Sequence, residues 1–338
     1  MLQPSEDGRG SAEKPILVSQ DLRKSYGPRP ALRGLTFSLS PGRILGFLGP
    51  NGAGKTTAIR ILTTIMEPDG GSFSVDGISS EYPERIRRKI GVLPESLGFH
   101  KHMTAIEWLT FFGRLYGHTA RQAKANGMAL LAEVGLDSRA RSVVGSYSRG
   151  MRQRLGIARS LVNDPAVVFL DEPTLGLDPR GQQELLELVR QVARERKVGV
   201  VLCSHALSEV EVLCDDVIIL NVGQVVAAGT VADVIGRTQR AVMQRNSLRV
   251  QVAPESVAEA QRILEGLPQV ASAVPTGETA GWLRVDLESG SEPQGDKPRI
   301  SNRVLEALIR ADVPIVSFEA EGGRLQEVFL HLTEEATR

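Results

Sequence analysis

The sequence predicts an α/β domain built on a parallel sheet, followed by a small α+β domain. Three observations carry this. A short apolar run, Ile44-Leu45-Gly46-Phe47-Leu48, leads into a glycine-rich loop and then a helical stretch. A second apolar run, Ala166-Val167-Val168-Phe169-Leu170, reads as a central parallel strand buried on both faces. Beyond residue 246 the order of elements becomes β-α-β-β-α-β, the ferredoxin-like pattern.

The loop is Gly49-Pro50-Asn51-Gly52-Ala53-Gly54-Lys55-Thr56-Thr57, and Ala58-Ile59-Arg60-Ile61-Leu62 continues it as a helix. Strand, glycine-rich loop and helix form the context a phosphate-binding P-loop needs. The glycines let successive backbone N–H groups turn toward one anion. The helix that starts there adds its own free N–H groups and the positive end of its dipole. Lys55 supplies a charge for the outer phosphates and Thr56 a hydroxyl for Mg²⁺. A nucleoside triphosphate is therefore the expected ligand.

Before the loop, Ile16-Leu17-Val18 and Leu35-Thr36-Phe37-Ser38-Leu39 read as strands around the turn Gly27-Pro28-Arg29-Pro30. Tyr26 sits just ahead of that turn, where an aromatic ring could stack on a purine or simply pack. After the loop, Ser72 to Gly77 alternates as a strand ending in a turn, and Ile90-Gly91-Val92-Leu93-Pro94 is a short apolar strand followed at once by Glu95. Then the pattern becomes helical. Thr104-Ala105-Ile106-Glu107 is a capping box, with apolar residues recurring along one face to Tyr116. Arg121 to Val134 is a second helix, stopped by Gly135. A third starts near Gly150 and runs through Met151, Leu155 and Val162.

The strand ending at Leu170 delivers Asp171-Glu172 to the carboxyl edge of the sheet, where open α/β sheets bind ligands. Asp178 and Pro179 open a helix as N-cap and first residue. Val198 to Cys203 is the next strand, with Ser204-His205 at its end. A lone histidine is usually structural, but one at the end of a core strand in a P-loop chain is a candidate functional residue. Val217 to Leu220 and Gln224 to Val226 read as a hairpin. In the C-terminal part, Ser256 to Leu267 reads as a helix with a capping box, Ser256 and Glu259. A polar loop, 288–299, precedes a helix from Asn302 to Ala311, and Leu325 to Thr333 reads as a terminal amphipathic helix. No chemistry-bearing cluster appears there, so a regulatory or dimerisation module is expected. The expected boundaries are a disordered tail at 1–14, a first domain at 15–236 with a helical subdomain at about 96–163, a linker at 237–246 and an accessory domain at 247–338.

Composition narrows the class further. At 338 residues, roughly two domains are expected. Lys plus Arg equals Asp plus Glu at 40 each, which argues against a nucleic-acid partner. Cys203 and Cys214 are the only cysteines, read as buried and reduced rather than as a disulfide framework. Met1 to Lys14 is polar and lacks the apolar stretch of a signal peptide. No apolar run approaches the roughly 18 residues that span a bilayer, so work at a membrane would need another chain to do the spanning.

Together these pieces resemble the nucleotide-binding subunit of an ABC transporter, over roughly residues 16–235. The loop matches Walker A, and Val167 to Glu172 matches Walker B with its following glutamate. Tyr147-Ser148-Arg149-Gly150-Met151 matches the ABC signature, Leu175-Gly176-Leu177-Asp178 the D-loop, His205 the switch histidine and Tyr26 the adenine-stacking aromatic. The form of the signature, with Leu325 to Thr333, looks most like bacterial ABC-2 type exporters of the drug-resistance group. The resemblance implies an ABC-type P-loop fold with a parallel core, an antiparallel β subdomain and a helical subdomain. It also implies an ATPase that pairs head-to-tail with a second copy or a homologous subunit, driving an integral-membrane permease from the cytoplasmic face of the membrane.

The resemblance assigns roles residue by residue. Gly49, Pro50, Asn51, Gly52, Ala53, Gly54, Lys55, Thr56 and Thr57 hold the phosphates. Thr56 and Asp171 hold Mg²⁺, Glu172 is the general base, and His205 contacts the γ-phosphate. Ser148 and Gly150 act across the dimer on the partner's ATP. Two positions depart from the common pattern. Glu95 stands where a glutamine is usual; a carboxylate ligates Mg²⁺ more strongly but repels the γ-phosphate. Arg149 and Met151 replace glycine and glutamine in the signature. The rival expectations are a soluble ABC ATPase acting on a macromolecule such as the ribosome, and a non-enzymatic ATP sensor.

Overall fold

The computed structural model describes residues 14–96, 98–204, 206–242, 247–276, 281–287 and 297–320. They fall into two units, divided between Val231 and Ala232, each with its own apolar core.

In the first unit the chain runs β1 (Leu17–Tyr26), β2 (Arg29–Leu39), β3 (Ile44–Leu48), α1 (Lys55–Leu62), β4 (Gly70–Val75), β5 (Ile78–Ser79), α2 (Pro83–Arg87) and β6 (Ile90–Leu93). It continues through α3 (Ala105–Leu115), α4 (Ala120–Glu133), α5 (Arg149–Ser160), β7 (Val167–Asp171), α6 (Pro179–Arg196), β8 (Gly199–Cys203), α7 (Leu207–Leu213), β9 (Asp216–Asn221) and β10 (Gln224–Thr230). The main sheet has the order β10-β9-β3-β8-β7-β6. It is parallel except for the edge pair β9–β10. Parallel strands need crossovers that cover both faces, so their residues must be apolar throughout. Accordingly β3 and β8 are buried at every position, and β7 at all but its last, Asp171. A second, antiparallel sheet has the order β2-β1-β4-β5, and its inward side chains share one core with the main sheet: Leu17, Leu35 and Phe73 belong with Phe47, Phe169 and Val201.

Helices α3 to α5 lie between β6 and β7 in the chain. Thr104 caps α3 as a full capping box with Glu107. Thr119 and Gln122 form a second box on α4 that the sequence reading passed over. Gly135, at φ 70°, follows α4. The end of α4 is tied to the end of α6 by Arg196, whose guanidinium pairs bidentately with Glu133 at 2.7 and 2.6 Å.

The second unit contains β11 (Ser247–Val252), α9 (Val257–Glu265), β12 (Val270–Pro275), β13 (Trp282–Leu287), α10 (Lys297–Arg310) and β14 (Ile315–Ala320); α8 (Val231–Val242) precedes them. Its sheet order, β12-β13-β11-β14, is antiparallel throughout, as the ferredoxin-like pattern requires. Three expectations change here. Residues 237–242, within the stretch expected as a linker, are helical and continue α8. Arg237-Thr238-Gln239-Arg240-Ala241-Val242 has no Gly or Pro to stop a helix. Ser256 makes no capping hydrogen bond: the chain enters α9 through a 3₁₀ turn at Pro254–Ser256, which leaves Ser256 at φ −95°, ψ 0°. A capping hydroxyl needs extended backbone at that residue to reach forward. Helix α10 starts at Lys297, within the stretch expected as loop. Of the expected tail at 1–14, residues 1–13 lie outside the described residues, as do residues 288–296 of the expected loop and the helix expected at Leu325 to Thr333.

Candidate active site

Strand β3 ends in the phosphate-binding loop, and α1 begins at Lys55. The loop is held by close backbone packing. Gly54, the N-cap of α1, has φ 109°, and a Cβ there would run into the carbonyl oxygen of Ala31. Only glycine meets both demands at once. The Lys55 ammonium donates to the carbonyl oxygens of Gly49 and Pro50. Thr56 and Thr57 follow in the first turn of α1, and Thr57 is buried.

Strand β7 brings the acids to the same edge. In the parallel pairing of β7 with β8, Asp171 lies opposite Cys203. Burial raises the Asp171 pKa, and the neighbouring charges of Glu172 and Glu95 raise it further; a hydrogen bond from the Cys203 thiol and the Lys55 charge work in the other direction. Glu172 is turned sharply off the strand, with φ 49°, and its N–H donates to the Cys203 carbonyl at 2.9 Å. A bulky residue at this φ marks stored strain. The Cys203 thiol is pushed up to about 12, chiefly by burial and then by the Asp171 charge, and stays a protonated donor at neutral pH.

The result is a cleft of about 800 Å³. Tyr26, residues 51–57, Glu95, Asp171 and Glu172 all line it, joined by Ala31, Arg60 and Cys203. Gly49 and Pro50 stand behind it as acceptors for Lys55. Tyr26 is half exposed at the end of β1, its hydroxyl donating to the Met66 sulfur at 3.3 Å. Ser148 and Gly150 do not line this cleft. Ser148 caps α5, accepting from the Met151 N–H at 3.2 Å, and Gly150 sits in the first turn of that helix. The Arg149 guanidinium packs on Gly176, where a Cβ would collide with it; that contact lies within the chain. His205 lies outside the described residues.

Among the described residues, no set of three or more His, Cys, Asp or Glu could hold a metal ion unaided. Thr56, Asp171 and Glu95 are hard oxygen donors lining one cleft, a set that fits Mg²⁺, which typically takes one or two carboxylates and fills its shell with phosphate oxygens and water. Burial first, and then the nearby charges of Glu172 and Glu95, raise the pKa of Asp171. Two residues escaped the sequence reading. Cys203 bonds Asp171 from the neighbouring strand, and the buried Glu209 on α7 accepts from Thr174 and Ser204. The available signal for Cys203 was its place at the carboxyl end of a core strand; nothing local marked Glu209.

A P-loop at the end of β3, paired acids at the end of β7, an antiparallel β subdomain and a helical insert with a capped signature helix define an ATP-binding cassette. A model of the ABC transporter family matches residues 32–175. The chain is 35% identical over 325 residues to the daunorubicin/doxorubicin resistance ATP-binding protein DrrA of Streptomyces peucetius, covering 94% of this chain and 92% of that one. It is 29% identical over 324 residues to the linearmycin resistance ATP-binding protein LnrL of Bacillus subtilis (strain 168), covering 96% of this chain and all of that one. Among solved structures, an ATP-binding subunit of an ABC transporter superposes with a TM-score of 0.58 at 32% identity, over 66% of this chain and 92% of the other. The chain belongs to the ABC transporter ATP-binding family and is an ABC-type ATPase.

Proposed function

We propose that this chain is the ATP-hydrolysing subunit of an exporter whose membrane-spanning permease is a separate polypeptide. The observation that carries the hydrolytic part is the convergence of Lys55, Asp171, Glu172 and Glu95 on one cleft. Export is supported by what the relatives are named for, resistance to linearmycin and to daunorubicin and doxorubicin. No described helix is long and apolar enough to cross a membrane, so the peripheral position at the cytoplasmic face would come from docking on the permease.

Each residue then has a task. Lys55 and the loop amides hold the β- and γ-phosphates, and Tyr26 stacks on the adenine. Thr56, Asp171 and Glu95 would hold Mg²⁺, which neutralises charge on the phosphate oxygens when bound. Glu172 orients and polarises the attacking water, and His205 steadies the γ-phosphate. Ser148 and Gly150 present the N-terminus of α5 to ATP held by a partner subunit, a second copy or a homologue. A helix N-terminus beside an anion contributes up to about 2 kcal/mol, present only when the two subunits close. Glu95 lines the nucleotide cleft and also a neighbouring groove with Phe99, Arg149 and Arg152. That double position supports the segment around Glu95, with α3, as the face that meets the permease.

Two experiments test this. Glu172→Gln should bind ATP, dimerise and stop turning over; wild-type turnover would remove Glu172 as the base. Tagged protein purified from detergent-solubilised membranes should bring down a multi-span membrane protein in stoichiometric amount. Recovery with ribosomal proteins instead would favour a soluble ATPase acting on a macromolecule.

A further inference from the structure

The first unit holds a buried polar cluster that none of these roles uses. Thr174, Ser204 and Glu209 are 3%, 1% and 8% exposed. Glu209 Oε1 accepts from the Thr174 hydroxyl at 2.6 Å, and Oε2 accepts from the Ser204 hydroxyl at 2.9 Å. The Ser204 oxygen accepts in turn from the Ala206 N–H at 3.1 Å. Burying a carboxyl group is costly unless its oxygens are bonded. Here each oxygen is bonded, and each partner comes from a different loop. Thr174 lies two residues beyond Glu172, and Ser204 directly follows Cys203 at the end of β8.

The same segment is braced elsewhere. The Glu172 N–H donates to Cys203, the Leu175 N–H to the Glu172 carbonyl at 3.2 Å, and the Leu177 N–H to the Thr174 carbonyl at 3.0 Å. Arg149 packs on Gly176 from the signature helix. Three apolar side chains would fill the same space without a desolvation cost, but they would not fix the relative position of two loops. A fully bonded polar cluster does.

We propose that Glu209 is a positioning residue for ATP hydrolysis. It clamps the loop after β7 to the loop after β8 and so holds Glu172 at its strained turn, in register with the end of β8. The proposal rests on Glu172 serving as the base. It predicts an effect on the chemical step and not on nucleotide capture, because none of Thr174, Ser204 and Glu209 lines the cleft.

The test uses the full-length chain with Glu209→Ala, Glu209→Gln and Thr174→Val, measuring kcat, KM, ATP binding and thermal melting. In Glu209→Ala, kcat should fall by about 10- to 100-fold, the scale of a misplaced reacting group, while ATP affinity stays within about twofold. Glu209→Gln keeps an oxygen acceptor and should recover part of the loss. Thr174→Val should lower kcat by itself and add little to Glu209→Ala, since both break one network. If Glu209→Ala fails to fold, Thr174→Val carries the test. Unchanged kcat in folded Thr174→Val overturns the proposal, as does a loss confined to KM or full additivity of the pair. Glu172→Gln run alongside separates the two readings: if it keeps wild-type turnover, the base assignment falls, whereas a dead Glu172→Gln beside fully active Thr174→Val condemns only the clamp.

Discussion

Replacing Lys55 by methionine keeps most of the side chain's length and removes its charge, with two separable consequences. The first concerns nucleotide. A charge-assisted hydrogen bond to phosphate contributes about 1.5–3 kcal/mol, so ATP should bind roughly 10- to 150-fold more weakly. The low end is the better expectation, because Lys55 already donates to the Gly49 and Pro50 carbonyls and must exchange those contacts for phosphate. The second concerns the nucleotide-free protein. Asp171 is partly offset by the Lys55 charge and crowded by Glu172 and Glu95. Without the ammonium, two carbonyls lose a donor and the acids lose a counter-charge, so Lys55→Met should melt earlier than wild type. Adding Asp171→Asn should restore much of that loss, since an amide needs no counter-charge. The cycle should show coupling of about 0.5–3 kcal/mol, the range for groups that interact directly. Calorimetric titration with ATP and thermal melts without it give both quantities. ATP affinity unchanged in Lys55→Met, or strict additivity of the two substitutions in the melts, would refute the electrostatic account of the cleft.

Other expectations follow from single contacts. With Cys203 pushed up to about 12, its thiol stays protonated near pH 8, where about one free cysteine in four is ionised. Cys214 is raised as well, by burial, so a thiol-specific dye should label neither until the chain is unfolded; fast labelling of the native protein would contradict this. Glu107 is held below its ordinary range by the Thr104 backbone N–H and hydroxyl. Its support for α3 is therefore present above the unfolded carboxyl pKa and disappears as pH falls through the lower folded value. Glu107→Gln should consequently melt below wild type at neutral pH and match it in acid, and a gap that persists in acid would exclude the charge as its source. Arg196→Ala breaks the bidentate pair with Glu133, where the two side chains are only 27% and 18% exposed. It should cost about 1.5–3 kcal/mol, read as an earlier denaturation midpoint.

What could be read from the sequence divides along a physical line. The phosphate loop was legible because its chemistry is local: glycines at close-packed turns, a lysine and a hydroxyl at fixed offsets, all within nine residues. The caps at Thr104 and Asp178 are local too, each a side chain reaching a backbone N–H three residues ahead. Ser256 has the same spacing to Glu259 but not the bond, because spacing does not specify the backbone angles that a cap requires. Cys203 and Asp171 become neighbours only through the order of the strands, with the whole of α6 between them in the chain. Nor could the sequence set Arg149 against Gly176 or Glu209 between two loops, since each contact exists only once separate elements have packed.

Those non-local contacts concentrate around one residue. Holding a non-glycine residue in a sparsely populated backbone region costs about 1–3 kcal/mol, and Glu172 sits at φ 49° beside a second acid that burial already disfavours. A loop free to relax would lose both features. The Glu172 N–H bonds the Cys203 carbonyl, and the residues that follow it are held by the bond from Thr174 to Glu209 and by Arg149 packed on Gly176. The unfavourable geometry is thus confined to the turn at Glu172, and the contacts around it come from β8, α5 and α7. The P-loop and the acids explain what this cleft can bind. The buried contacts behind them join the loop after β7 to the loop after β8, and the Glu209 and Thr174 variants measure what that junction contributes to turnover.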